Sequence, residues 1–243
     1  MSGHSKWKNI MHKKEKTDAQ RAKVFTKIGR EMSLCVKQGG PDPNVNSRLK
    51  DLIAKARANN VPMDNIERII KKASGDGAAD NYEDVTYEGY GPSGVAVIVE
   101  ALTDNRNRTA SDVRHAFDKN NGNMGQAGCV SWSFDRKGVI VVNNEDGDID
   151  EDKMLEDALE AGAADMEADG EVYQVYTEPD DVAAVAEYLT EHGYSLLSAQ
   201  AEMVPQNYIT LSDEKDIKNM QRMLDMFEDN DDVQNVWHNC ENM

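Results

Sequence analysis

Residues 85–102 read VTYEGYGPSGVAVIVEAL, and the fold class follows from this stretch. Two runs rich in β-branched and aromatic residues, at 85–90 and 95–102, flank the sequence GPSG. Pro and Gly favour a tight turn between two such runs, so the pattern predicts a β-hairpin. A helical pattern follows at about 109–120. A hairpin followed by a single helix indicates an α+β domain.

The chain beyond this unit continues to alternate short strands with single helices. Such alternation is typical of ferredoxin-like α+β units, and two of them fit the available length. A second hairpin is predicted around the sequence DRKG at 135–138, with strands at 129–134 and 139–143. The remaining predicted elements are helices at 152–160, 179–192 and 213–228 and strands at 172–177, 196–203, 208–211 and 233–237.

The segment before the hairpin has a different pattern, with apolar residues at helical spacing throughout. Thr17 and Asp18 are candidate caps of a first helix that runs to about residue 38. Asn46 and Asp64 are candidate caps of a second and a third helix. Three helices with short connections predict a small bundle.

Charge is distributed very unevenly along the 243 residues, whose net charge is −18. Residues 1–75 carry 17 Lys and Arg against 7 Asp and Glu, whereas residues 76–243 carry 10 against 38. A basic segment on an acidic chain suggests a polyanion as the partner of the basic end. The alternative is that the basic segment docks on the acidic remainder of the chain, and both contacts could occur in turn.

Four cations of the first predicted helix fall within about 40° of one line at 100° per residue. This basic face consists of Lys16, Lys23, Lys27 and Arg30. Apolar residues, including Ile28 and Met32, lie on the opposite side. Lys and Arg contact phosphate groups through their charge, without a fixed side-chain geometry. The basic face is therefore a candidate nucleic-acid interface, and an ordinary solvated face is the alternative.

Residues 1–16 are polar and basic, and we expect them to form a loosely packed arm. Trp7 lies between two lysines, which makes it a candidate for stacking on an unpaired base. Packing of Trp7 on the bundle is the alternative. The arm extends the candidate interface by four cations, namely Lys6, Lys8, Lys13 and Lys14.

A second basic cluster, Arg106 and Arg108, precedes the helix predicted at 109–120. Thr109 is a candidate cap of that helix. Helix N-termini and neighbouring arginines suit phosphate groups, so both arginines are candidate nucleic-acid ligands. Local charge balance with Asp104 and Asp112 is the alternative.

Several motifs suggest other chemistry but lack the required context. Residues 89–94 match GxGxxG, yet a strand pattern follows where a dinucleotide-binding fold needs a helix. The acidic stretches at 145–152 and 228–232 lack the EF-hand order and are predicted to be solvated turns. The five histidines have no metal-ligand spacing, and no nucleophile motif is present. We therefore expect no enzymatic activity, no cofactor, no metal and no small-molecule substrate.

The three cysteines, Cys35, Cys129 and Cys240, are widely spaced and odd in number, which indicates reduced thiols rather than a disulfide framework. No run approaches the roughly 18 apolar residues of a membrane helix. The N-terminus has no apolar stretch typical of a signal peptide. These observations predict a cytoplasmic protein with no membrane partner.

Long motifs spread along the chain resemble those of the YebC/PmpR family. They are GHSKW at 3–7, KVFTK at 23–27, EGYGP at 88–92, TDNRNRT at 103–109, VRHAF at 113–117, SWSFDRKG at 131–138 and DDVQNV at 231–236. Ser93 stands where the resemblance leads us to expect glycine.

The resemblance implies a helical domain followed by two α+β domains, the third inserted into the second. We accordingly expect domains at 1–78, at 79–131 with 205–243, and at 132–204. Family members are described as DNA-binding transcription regulators, while relatives, including a mitochondrial translational activator, act on the ribosome. The expected partner is therefore DNA or, in the alternative, ribosomal RNA and the ribosome. The sequence does not separate these two functions.

Overall fold

The computed structural model describes residues 18–75 and 81–243, with side chains from residue 22 onward. Within this part the chain forms two compact units, which are described separately below. The first unit contains residues up to 127 together with 218–236, and the second contains residues 128–217 and 237–243.

The described elements follow one another as expected for an α+β chain with a helical beginning. In chain order they are α1 (Asp18–Gly39), α2 (Ser47–Ala58), α3 (Met63–Ser74), β1 (Glu83–Tyr90), β2 (Ala96–Thr103), α4 (Arg106–Lys119), β3 (Asn123–Met124), β4 (Phe134–Asn143), α5 (Glu151–Glu160), β5 (Asp165–Asp169), β6 (Val172–Thr177), α6 (Val182–Glu191), β7 (Leu196–Pro205), α7 (Glu214–Asp229) and β8 (Val233–His238).

Helices α1, α2 and α3 form the predicted bundle and bury one apolar face each. Ile28 and Met32 of α1 meet Leu49 of α2 and Ile66 of α3 in a core drawn from this bundle alone. Burying each of these large side chains contributes about 1.5–3 kcal/mol before conformational entropy is counted. The predicted amphipathic pattern of α1 is thus confirmed.

Of the two caps predicted for α2 and α3, one is correct and one is wrong. The Asn46 side chain accepts a hydrogen bond from the Leu49 backbone N–H at 3.1 Å, so it caps α2 as predicted. Helix α3 instead begins at Met63, after Pro62, and has no side-chain cap. Pro62 has a φ of −59°, already suited to a helix start, which explains why Asp64 is not needed as a cap. Thr17 lies outside the described residues.

The first unit also contains the sheet ordered β3-β1-β2-β8. Strands β1 and β2 pair antiparallel around the turn Pro92–Gly94, which confirms the predicted hairpin. Because β2 follows this turn directly, the GxGxxG sequence opens no helix. Ser93 has a φ of 53°, in the left-handed region that glycine adopts at no steric cost. The glycine expected from the family resemblance therefore has a conformational reason.

The second unit contains the sheet ordered β5-β6-β4-β7. Strand β4 is continuous and pairs antiparallel with β6 and β7, so the hairpin predicted around DRKG is wrong. Gly138 lies inside the strand, where an added Cβ would come within 2.3 Å of a Val182 methyl carbon. This glycine permits close packing instead of a turn. One face of the sheet packs against α5 and α6 through Ile140 and Val175.

Two further differences from the predicted strands have local causes. Strand β5 has the sequence DMEAD, which carries no strand pattern, and it forms by pairing with β6 at the sheet edge. The strand predicted at 208–211 is reduced to an isolated bridge between Ile209 and Cys240. The multidomain α+β fold class is confirmed, and the three proposed domain boundaries stay predictions.

Candidate nucleic-acid interface

The three described residues of the basic face all point to one segment, residues 228–232, called here the acidic segment. Lys23 Nζ lies 2.5 Å from Asp229 Oδ1, although the two residues are 206 positions apart in the chain. Lys27 Nζ donates to the carbonyl oxygen of Glu228 at 3.3 Å. The shared target confirms that these cations lie on one side of α1.

Arg30 anchors the other end of this contact. Its guanidinium donates to the carbonyl oxygen of Asp231 at 2.9 Å and to Asp232 Oδ1 at 2.5 Å. It also lies over the ring of Tyr82, with its Cζ 5.4 Å from the ring centroid. Arg30 therefore binds the acidic segment through both backbone and side-chain oxygens.

Asp232 is the best-satisfied carboxylate of the acidic segment. Its Oδ2 accepts hydrogen bonds from Arg108 and from the Thr109 hydroxyl, each at 2.7 Å, while Oδ1 faces Arg30. Burial alone would raise the pKa of Asp232, but the hydrogen bonds from Arg108, Thr109 and Arg30 outweigh it and hold the pKa below its ordinary value. The carboxylate is thus ionised and shared between α1 and α4.

The cluster of Arg106 and Arg108 belongs to the first turn of α4, not to the loop before it. Asn105 caps this helix by accepting the Arg108 backbone N–H at 3.1 Å, so the predicted cap at Thr109 is wrong. The Thr109 side chain is buried and contacts Asp232 instead. Thr109 lies three residues beyond the helix start, where its side chain contacts Asp232, and it therefore does not cap the helix.

The side chains of Arg106 and Arg108 are both exposed, but only that of Arg108 forms ion pairs with the carboxylates beside it. Arg108 lies 2.8 Å from Asp104 and 2.7 Å from Asp232. Hydrogen bonds to Asp232 and then Asp104 raise the pKa of Arg108 above its ordinary value. The charge-balance alternative thus holds for Asp104. Arg106 uses its carbonyl oxygen to accept a hydrogen bond from the Tyr87 hydroxyl at 3.3 Å.

A polar cavity of about 550 Å³ lies beside this network. Its lining holds more carboxylates than guanidinium groups, and the guanidinium groups are already paired, so it does not suit an anion. The lining residues are Arg30, Asp104, Arg108, Asp112, Met226, Asp229, Asn230, Asp231 and Asp232.

Residues 18–75 and 81–243 contain no group of three or more His, Cys, Asp or Glu placed to hold a metal ion. None of the helices there combines the length and the apolar character needed to cross a bilayer.

Six of the candidate interface residues lie outside the described part of the chain. They are Lys6, Trp7, Lys8, Lys13, Lys14 and Lys16. The structure therefore brings together Lys23, Lys27 and Arg30 on α1 and links them through Asp232 to Arg108. It does not bring Arg106 into this network.

Family models cover nearly the whole chain. The model described as the TACO1/YebC protein N-terminal domain matches residues 5–76. The model described as the TACO1/YebC second and third domain matches residues 82–240. The chain belongs to the TACO1/YebC family.

Individual relatives agree with this assignment. A "probable transcriptional regulatory protein" from Caldicellulosiruptor saccharolyticus is 57% identical over 241 residues, covering 99% of both chains. A relative of the same name from Acetivibrio thermocellus is 58% identical over 239 residues, covering 98% of both. The crystal structure of a conserved hypothetical protein from Aquifex aeolicus is 44% identical with a TM-score of 0.82, covering 93% of this chain and 92% of that one.

In this TACO1/YebC chain, the alternative that the basic segment docks on the acidic remainder is borne out for α1, but the sequence did not identify the acidic segment as the docking site. It was expected to be a solvated turn, but it faces α1 and supplies four oxygen acceptors to the basic face. The opposite net charges of the two ends of the chain were the one available signal. That signal does not identify which of many carboxylates meets which lysine.

Proposed function

We propose that this chain is a non-enzymatic cytoplasmic regulator that binds nucleic acid through its basic helical domain and acts on transcription by binding DNA. The observation that carries the proposal is the alignment of three cations on one side of α1 within a segment carrying 17 Lys and Arg against 7 Asp and Glu. The similar relatives are named probable transcriptional regulatory proteins, and these names support the same function.

The proposed interface consists of phosphate-binding cations with one aromatic side chain. A line of positive charge neutralises successive phosphate groups and releases their counterions, which supplies affinity without base recognition. The aromatic side chain adds stacking on an unpaired base. The proposed residues are Lys6, Trp7, Lys8, Lys13, Lys14, Lys16, Lys23, Lys27, Arg30, Arg106 and Arg108. Arg108 would contribute its positive charge while its guanidinium stays on Asp232.

The salt dependence of binding tests this interface directly. Replacing Lys23 and Lys27 by Gln should reduce the steepness of log K against log salt by about 1.8, because each lost phosphate contact removes about 0.9. Fluorescence anisotropy with a labelled mixed-sequence duplex measures this slope. The matched control replaces Lys50 and Lys71, which are exposed on α2 and α3, by Gln. Equal slopes for the two double variants would contradict the proposal.

A second comparison distinguishes the nucleic acid. The wild-type protein is titrated with promoter duplex, random duplex and a ribosomal RNA fragment under the same salt conditions. Tighter binding to promoter DNA supports transcriptional regulation. Tighter binding to the RNA fragment would instead support a function on the ribosome. The basic face would be the interface in that case too.

A further inference from the structure

We propose that the acidic segment competes with nucleic acid for the basic face, so that binding of phosphate groups is linked to release of the helical bundle from residues 228–232. This inference rests on the proposed function and adds its regulation. The segment occupies the cations that the proposed interface requires. Nucleic acid would therefore have to displace it.

The acidic segment presents the same kind of ligand to α1 as a phosphate backbone does. Lys23 and Arg30 are seven residues apart, which corresponds to about 10 Å along the helix. Over that distance the segment supplies carboxylate oxygens from Asp229 and Asp232 and backbone carbonyl oxygens from Glu228 and Asp231. Oxygen acceptors repeated along a line of cations are also what a nucleic-acid strand offers.

The contact is polar, and this makes exchange feasible. The apolar core of the bundle is made of residues between 28 and 73, so the bundle keeps its own core when the acidic segment leaves. Further contacts of α1 with residues 81 and 82 are also polar or aromatic, and they include a cation–π contact from Arg30 to Tyr82 and a 3.5 Å hydrogen bond from Lys37 to Asn81. Exposed ionic contacts are screened by salt and individually weak.

Release of α1 also leaves no buried charge unpaired. When Arg30 withdraws, Asp232 keeps its hydrogen bonds from Arg108 and Thr109. The other end, Asp229, is exposed to solvent and regains water. Breaking a buried pair is costly mainly because it leaves an uncompensated charge, and this arrangement avoids that cost.

Neutralising the exposed end of the acidic segment tests the competition. Asp229→Asn should tighten binding of a mixed-sequence DNA duplex about two- to fivefold, since it removes one exposed competing ion pair. The matched control is Asp118→Asn, which removes one exposed carboxylate from α4 without touching the basic face. A change in general charge repulsion would affect both variants equally.

Release of the bundle is measured separately by the distance between spin labels at Ala54 on α2 and His115 on α4, both exposed, in a Cys129→Ser background. Saturating duplex should lengthen or broaden this distance in the wild-type chain. If Asp229→Asn binds no tighter than Asp118→Asn and the distance stays constant, the competition is refuted while nucleic-acid binding stands. If neither the wild type nor Asp229→Asn binds any nucleic acid, the proposed function fails and this inference fails with it.

Discussion

Asp229 and Asp232 lie three residues apart in the acidic segment, and both bond to cations of α1, yet their surroundings differ. The Asp229 side chain is 74% exposed and has Lys23 as its cation. The Asp232 side chain is 5% exposed and is shared by Arg30 and Arg108. The two ends of one ionic contact thus sit in water and in the protein interior respectively.

This difference teaches that the contact has one end where the carboxylate stays paired after α1 leaves, at Asp232, and an exchangeable end where the carboxylate returns to water, at Asp229. An exposed ion pair contributes about 0–1 kcal/mol, because water and salt compete for both groups. Removing one partner of a buried pair costs about 3–5 kcal/mol, because the remaining charge has lost its compensation. The same residue types therefore stabilise the fold at Asp232 and leave α1 replaceable at Asp229.

The largest expected effect is the loss of stability when the buried carboxylate of Asp232 is removed. Asp232→Ala should lower the free energy of unfolding by about 2–3 kcal/mol, less than for a fully buried pair, because Arg108 is 46% exposed and keeps Asp104 as a partner. Urea denaturation followed by circular dichroism measures this change at neutral pH. A loss below about 1 kcal/mol would show that the two ends of the contact are equivalent.

The carboxylate of Asp232 also gives the free energy of unfolding a pH dependence whose sign is known. Its pKa is lowered on folding, so its stabilisation is complete above the unfolded pKa of about 3.9 and is lost as the pH falls through the folded pKa. Wild-type protein should therefore lose stability relative to Asp232→Ala only under strongly acidic conditions.

His238, a half-buried residue, gives a smaller effect in a different pH range. Burial lowers the pKa of His238 to about 4, and its Nδ1 accepts the Cys240 backbone N–H at 3.3 Å. In the unfolded chain the His238 imidazole binds a proton near pH 6.5, whereas in the folded chain it does so only near pH 4. The free energy of unfolding should therefore fall by about 1–3 kcal/mol between pH 6.5 and 4. His238→Asn retains an acceptor and should flatten the decline. Equal declines in denaturation series of both proteins would contradict this.

The smallest expected effect on stability comes from the exposed ion pair between Lys23 and Asp229. A double-mutant cycle of Lys23→Ala and Asp229→Ala should give a coupling below about 1 kcal/mol at low salt. The coupling should disappear at high salt, where the Debye length is only a few ångströms. A coupling as large as the effect of Asp232→Ala would remove the distinction on which the exchangeable end depends.

Prediction from sequence succeeded where a strong local pattern coincided with the final packing. The β1–β2 hairpin and strand β6 have runs of β-branched and aromatic residues, and α1 has a clear helical period in its apolar residues. It failed where a neighbour distant in sequence decided the structure. Gly138 resembles a turn residue, but it lies within β4 because Val182 and Thr177 pack against its backbone.

In the candidate nucleic-acid interface, too, some features follow from a local pattern and others from residues distant in sequence. That Lys23, Lys27 and Arg30 share one side of α1 follows from the helical period alone, because seven residues complete nearly two turns. That Thr109 turns into a buried network depends on the position of Asp232, 123 residues further along the chain. No local pattern near residue 109 contains that information.

The sequence by itself determined the family, the α+β class, the helical bundle and the alignment of cations on α1, since motifs and periods are properties of consecutive residues. The tertiary structure alone decided what faces those cations. Residues more than 200 positions away place carboxylate and carbonyl oxygens against them, and burial separates a structural carboxylate at Asp232 from an exchangeable one at Asp229. Charge can be counted along a chain, but its energetic effect depends on the solvent and partners that folding assigns to it.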